Sequence, residues 1–119
     1  MLINLTNHPY EQWNEAQKIA AEEYGRVEDM PFPQINPECC ENDLNQLVDT
    51  YYCRVTAAAP KAVLLQGEFV FCYRLIRKLK ESGITVIAAG TKRCADVQTD
   101  ENGNTVKRSV FRFAGFREY

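Results

Sequence analysis

Histidine is nearly absent from this chain of 119 residues: His8 is the only one. With no C-x-x-C pair either, no standard zinc spacing can be assembled, and the chain reads as metal-free and without a cofactor. The five cysteines are odd in number, and Cys39 and Cys40 are adjacent, a pairing that normal disulfide geometry disfavours. They point to a reduced, cytoplasmic protein. No apolar run approaches the ~18 residues of a membrane helix. Met-Leu-Ile-Asn-Leu at the N-terminus lacks the basic flank and long apolar core of a signal peptide. A G-x-G-x-x-G fingerprint, a G-K-[ST] phosphate loop and a G-x-S-x-G nucleophile elbow are all missing, so nicotinamide, P-loop and serine-hydrolase chemistries are not expected.

What is present is the apolar content of a globular protein, 45% of residues, in a length that suits one domain over 1–119. The net charge of -2 conceals a division. Residues 1–60 hold three bases against ten acids, a charge of -7, whereas residues 61–119 hold eleven bases against six acids, a charge of +5. Either the second half handles an anionic ligand, or one surface has an acidic and a basic face.

Leu2-Ile3-Asn4-Leu5 is a short apolar run stopping at Asn7-His8-Pro9, as expected of a strand feeding a helix. Trp13, Ala16, Ile19, Ala20 and Tyr24 then recur at helical spacing, which predicts one helix over Tyr10–Tyr24 stopped by Gly25. Val27–Met30 suits a short strand closed by Pro31-Phe32-Pro33. A second helical region opens at Asn36-Pro37, shows its stripe at Leu44, Leu47, Val48, Tyr51, Tyr52 and Val55, and ends at Pro60. Ala62–Leu65 and Ile84–Ala89 read as strands buried on both faces, separated by a helix reaching about Ser82. Asn102-Gly103 is a hairpin signal joining Asp96–Asp100 to Thr105–Phe113. The fold class predicted is α/β: an open parallel sheet in the order 2-1-3-4, with a C-terminal antiparallel β-hairpin at or beyond its edge.

Ligands of open α/β sheets bind outside the carboxyl ends of the strands, where strand order reverses. Three loops are expected to meet there. Thr6-Asn7-His8 supplies a hydroxyl and an amide for anion contact. His8 is either a general acid or base or one more polar donor. Gln66-Gly67-Glu68-Phe69 precedes a helix whose N–H groups suit an anion, and Glu68 is either a structural acid on that helix or a ligand for a sugar hydroxyl or amino group. Thr91-Lys92-Arg93 follows Gly90 and offers a hydroxyl beside two cations, either a phosphate site or a solvated turn.

Phe69-Val70-Phe71-Cys72-Tyr73 is apolar all round its first turn, which predicts a second cover over that helix: another subunit, or the C-terminal hairpin. Lys107–Phe113 interleaves bases with aromatics and fits an edge strand better than a base-stacking track.

Leu5-Thr6-Asn7-His8-Pro9, Gln66-Gly67-Glu68-Phe69 and Phe116-Arg117-Glu118-Tyr119 together resemble small CRISPR-associated proteins of type III systems, with Rossmann-like folds related to cyclic oligoadenylate sensor domains. The resemblance runs through nearly the whole chain. It implies a homodimeric ring nuclease that binds cyclic tetra-adenylate across its two-fold axis and cleaves it without metal. A ribose 2′-hydroxyl would attack the neighbouring phosphodiester and so end antiviral signalling; no long nucleic acid or membrane partner is implied. Thr6, Asn7 and His8 would then line the site, with His8 as the candidate acid or base. Gln66, Gly67, Phe69 and Thr91 would contact the ligand, Glu68 would orient a ribose or adenine group, and Lys92 or Arg93 would stabilise the developing charge. Two readings stand beside it: a cyclic-nucleotide-binding module without catalysis, and a protein-interaction domain.

Overall fold

The computed structural model describes the backbone of residues 1–119 and every side chain except that of Asp96. In chain order its elements are β1 (Leu2–Leu5), α1 (Glu15–Ala21), β2 (Val27–Asp29), α2 (Glu41–Ala58), β3 (Ala62–Leu65), α3 (Phe69–Glu81), β4 (Thr85–Thr99) and β5 (Thr105–Glu118). They form an α/β protein around one five-stranded sheet of order β2-β1-β3-β4-β5. The sheet is mixed rather than parallel. Its first four strands run in parallel, and β5 runs antiparallel to β4. The hairpin is therefore no appendage beyond a four-stranded 2-1-3-4 sheet, because β4 is itself one of the hairpin strands.

Side chains alternate across the short parallel strands. Ile3, Leu5, Val63, Leu65 and Val86 face α2 and α3, where they meet Val48, Val55, Phe71, Leu75 and Leu79. Leu2, Leu64 and Ile87 face the other way, onto Trp13 and Ala21. Both faces of the sheet are thus covered, and that is why Ala62–Leu65 reads as an unbroken apolar run.

The first helical stretch differs from the single helix expected over Tyr10–Tyr24. Tyr10–Gln12 and Glu22–Tyr24 are 3-10 turns, and only Glu15–Ala21 is α-helical. The interruption is at Trp13, which is extended, and the Asn14 side chain accepts from the Gln17 N–H to cap a fresh helix. α2 likewise begins at Glu41, not at Asn36-Pro37.

The largest difference lies after Gly90. The chain does not turn there. β4 continues to Thr99 and pairs with β5 over its whole length, so both strands project past the end of β3 as a two-stranded arm. Gly90 faces Gly115 across the ladder, and a Cβ on Gly90 would lie 3.2 Å from the Gly115 carbonyl oxygen. The register shifts between Gly90 and Thr91, so the glycines mark a β-bulge where the arm leaves the sheet. At its tip, Asp100 accepts from the N–H groups of Asn102 and Asn104, and Gly103 has φ 78°. The arm gives the molecule its 57 × 37 × 22 Å extents.

Candidate functional site

The carboxyl ends of β1 and β3 open into a cavity of ≈ 500 Å³ roofed by the base of the arm. The loop after β1 is held by a network rooted in Asn4, a buried polar residue within the strand. Asn4 Nδ2 donates to the His8 carbonyl and to Asp29 Oδ1, each at 2.8 Å. The Thr6 hydroxyl donates to Asn4 Oδ1 at 2.8 Å and accepts from the His8 N–H at 3.1 Å. The Trp13 indole N–H donates to the same His8 carbonyl at 3.0 Å, and Asp29 accepts from the Tyr10 N–H at 3.1 Å. The backbone of His8 is fixed from three sides while its ring remains exposed at the cavity.

Gln66 closes the opposite wall. Its amide oxygen accepts from the Ala89 N–H at 3.0 Å and its amide nitrogen donates to the Ala89 carbonyl at 3.4 Å. The side chain thereby adds one more rung between β3 and β4 before the arm departs. Gly67 follows, and a Cβ there would strike the ring of Phe32, which packs edge-on against Phe71. The requirement for glycine is therefore met by close packing of this chain's own side chains.

Of the residues expected at the site, Thr6, Asn7, His8, Gln66, Gly67 and Thr91 come together around the cavity. Four others do not. Glu68 accepts from the N–H groups of Val70 (2.9 Å) and Phe71 (2.8 Å), so its carboxylate caps α3 and occupies the donors expected to hold a phosphate. Phe69 is 89% exposed and lines a separate groove of ≈ 630 Å³ with Tyr73, Ile76 and Tyr119. Lys92 and Arg93 belong to a strand rather than a loop, so they point to opposite faces of the arm, and neither lines the cavity.

Residues that carry no motif in the sequence complete the wall. Gln12, Trp13 and Asn14 line it from the stretch before α1, Gln17 from the first turn of α1, and Phe111 and Phe113 from β5. Among the described residues the lining thus carries five amides, two hydroxyls, three aromatic rings and one imidazole, and no carboxylate, ammonium or guanidinium. Amides match the donor and acceptor edge of a purine, and aromatic rings match its face. Among the described residues no three histidine, cysteine, aspartate or glutamate side chains cluster as metal ligands would.

α3 presents Phe69, Val70 and Tyr73 to the exterior, at 89%, 44% and 62% exposure, so the hairpin does not supply the second cover expected for this helix. No helix is long and apolar enough to cross a membrane.

A mixed sheet with helices on both faces and an amide-lined crevice at the carboxyl ends of its parallel strands defines the class: an open-sheet α/β protein with a cavity at the reversal of strand order. More narrowly, the chain belongs to the Uncharacterized protein MJ1673 family, whose profile matches residues 1–117. No curated protein matches it.

Proposed function

We propose that the protein binds a cyclic oligoadenylate, cyclic tetra-adenylate, as a homodimer with a Rossmann-like core, and cleaves it to end type III CRISPR signalling. The observation that carries this reading is the cavity lining of amides, hydroxyls and aromatic rings around one imidazole, which suits an adenine base and not a bare anion. The exposed Phe69, Val70 and Tyr73 would be the apolar face across which two copies meet.

In the reaction proposed, a ribose 2′-oxygen attacks the adjacent phosphorus and the bond to the 5′-oxygen breaks. The 2′-hydroxyl loses a proton, the departing oxygen gains one, and a 2′,3′-cyclic phosphate is left. The nucleophile is internal to the ligand, so the protein's task is to hold it in line and to shuttle protons. His8 contributes the one imidazole among the described side chains lining the cavity and is the candidate acid or base. Lys92 and Arg93 are not placed to neutralise the phosphoryl oxygens in this pocket, which leaves the amides of Asn7, Gln12 and Gln17 as donors. A cavity wall without a fixed cation favours a second reading, in which the ligand is sequestered and not cut.

Trp13 is the only tryptophan and lines the cavity, so its fluorescence reports occupancy directly. Labelled cyclic tetra-adenylate, added with and without chelator, separates the readings. Quenching together with a chelator-insensitive 2′,3′-cyclic phosphate product is the expected result. Quenching without product establishes sequestration, product only without chelator overturns the mechanism while keeping the ligand, and neither signal overturns the proposal.

A further inference from the structure

The cavity does not end at Phe113. Alternation along the arm puts Thr91, Arg93, Ala95 and Val97 on the face that looks toward the cavity, and their cross-strand partners Phe113, Phe111, Ser109 and Lys107 share it. Walking outward, the rungs on this face read Thr91/Phe113, Arg93/Phe111, Ala95/Ser109 and Val97/Lys107. Each is separated from the next by about 6.8 Å, the two-residue repeat of a strand and a distance that one extended sugar–phosphate unit spans.

Two of these side chains have no structural task that explains them. Phe113 and Phe116 meet edge to face with ring centroids 5.0 Å apart, and Phe116 also meets Trp13 and Tyr24. Phe111 joins no such cluster. It is 68% exposed at the outer rim of the cavity, an aromatic face left in water beside a guanidinium. Arg93 turns its Nε and Nη2 to the Ser109 hydroxyl oxygen, at 3.1 and 2.9 Å, and among the described residues no carboxylate pairs with it. That hydrogen bond directs the guanidinium outward along the arm, toward Ser109, while leaving further N–H donors open. The adjoining rung has only the small side chains of Ala95 and Ser109, so nothing bulky covers the group.

We propose that this inner face of the arm is a second nucleotide subsite continuous with the cavity: Phe111 stacks a base, and Arg93 with Ser109 holds a phosphate beside it. The inference rests on the adenylate reading of the cavity and specifies what that reading leaves open, where the nucleotides beyond the first are held. A mononucleotide fills the cavity alone. A ligand of two or more nucleotides also reaches the arm, so the arm selects oligonucleotides over the mononucleotides abundant in a cell. The cations absent from the cavity wall are supplied one rung further out.

The test titrates Trp13 fluorescence with adenosine 5′-monophosphate, linear diadenylate, linear tetra-adenylate and cyclic tetra-adenylate. The quantity read is the ratio of diadenylate to monophosphate affinity. One stacked base with its phosphate should raise that ratio to about tenfold or more in the wild type. Phe111→Ala and Arg93→Ala should each bring it down severalfold, and Arg93→Ala should also reduce the salt slope for diadenylate by about 0.7. Arg112→Ala, on the opposite face of the same arm beside Lys92, should leave the ratio at its wild-type value. A wild-type ratio near one overturns the subsite while the cavity reading stands, as does an equal fall in Arg112→Ala, which would mean diffuse charge. Binding of no adenylate at all overturns both.

Discussion

Glu68 shows how one side chain settles between two roles. A lone acid before a helix is compatible with ligand contact or with capping, and here both carboxylate oxygens are engaged by backbone N–H groups at 2.8–2.9 Å. Glu68→Ala should therefore lower stability by about 1 kcal/mol, and Glu68→Asp should recover most of it, since aspartate is a favoured cap. Urea unfolding reads both; an alanine variant as stable as wild type would remove the capping role. Gly67 lies beside it and is tested in the opposite sense. Adding a methyl drives it into the Phe32 ring, so Gly67→Ala should cost about 1–3 kcal/mol, and the further change Phe32→Ala should relieve part of that penalty. Additive losses in the double variant would show that the two do not meet. Asn4 is the residue most easily overlooked. An amide in the middle of Leu2-Ile3-Asn4-Leu5 breaks the apolar run, and that break was the available sign that something inside the sheet needed a donor and an acceptor. Its partners, Asp29 and the His8 carbonyl, are set by strand pairing and by a loop, which local pattern does not show.

At the scale of elements, what was legible follows from local chemistry. The short buried strands announce themselves by apolar runs, unbroken in Ala62–Leu65, the turn of the hairpin by Asn102-Gly103, and the meeting of Thr6–His8 with Gln66-Gly67 by parallel crossovers that place both at one end of the sheet. What was not legible turns on glycine and tryptophan. Gly90 looks like the end of a strand, yet its role is to let β4 pass close to Gly115 at a bulge, and only the pairing partner reveals this. Moving Thr91-Lys92-Arg93 from a loop into a strand separates two cations that a turn would have kept together. Trp13 fits a helical stripe by spacing, but its side chain is needed under the sheet and against the His8 carbonyl, and the helix breaks to put it there. The arm itself makes few demands on the body. Replacing residues 93–111 by Asn-Gly, so that the hairpin closes between Lys92 and Arg112, should leave the melting temperature within about 3 °C of wild type. Oligoadenylate affinity should fall toward that of the monophosphate. A collapse in melting temperature would show that the arm is part of the cooperative fold.

For the whole molecule, two ion pairs join the opposed charges of the two halves within one layer. Glu41 of α2 meets Arg74 of α3 at 2.7 Å, Asp49 meets Lys78, and the carboxylate of Asp49 raises the pKa of Lys78. These pairs are exposed and screened, so they orient the two helices more than they stabilise them. The stronger dependence on solution conditions lies beneath α3. Burial pushes the Cys72 thiol up to about 12, with Glu68 adding to the shift, and burial likewise raises the Tyr119 phenol, whose hydroxyl donates to the Leu65 carbonyl at 2.7 Å. Folding therefore keeps both groups protonated where the unfolded chain would release their protons. Between the unfolded thiol value of 9.0 and about 12, the native state binds more protons than the unfolded one, so stability falls as pH rises through that window. The expected observation is a melting temperature that drops steeply above pH 9, with a shallower drop in Cys72→Ala, whose truncated side chain no longer titrates. The same burial predicts the order of thiol labelling at pH 8: exposed Cys40 and Cys53 react first, and Cys72 reacts only as fast as α3 opens. Equal labelling of Cys72 and Cys53 in the native protein would mean that α3 does not seat on the sheet, and the cavity wall that begins at Gln66-Gly67 would lose its support.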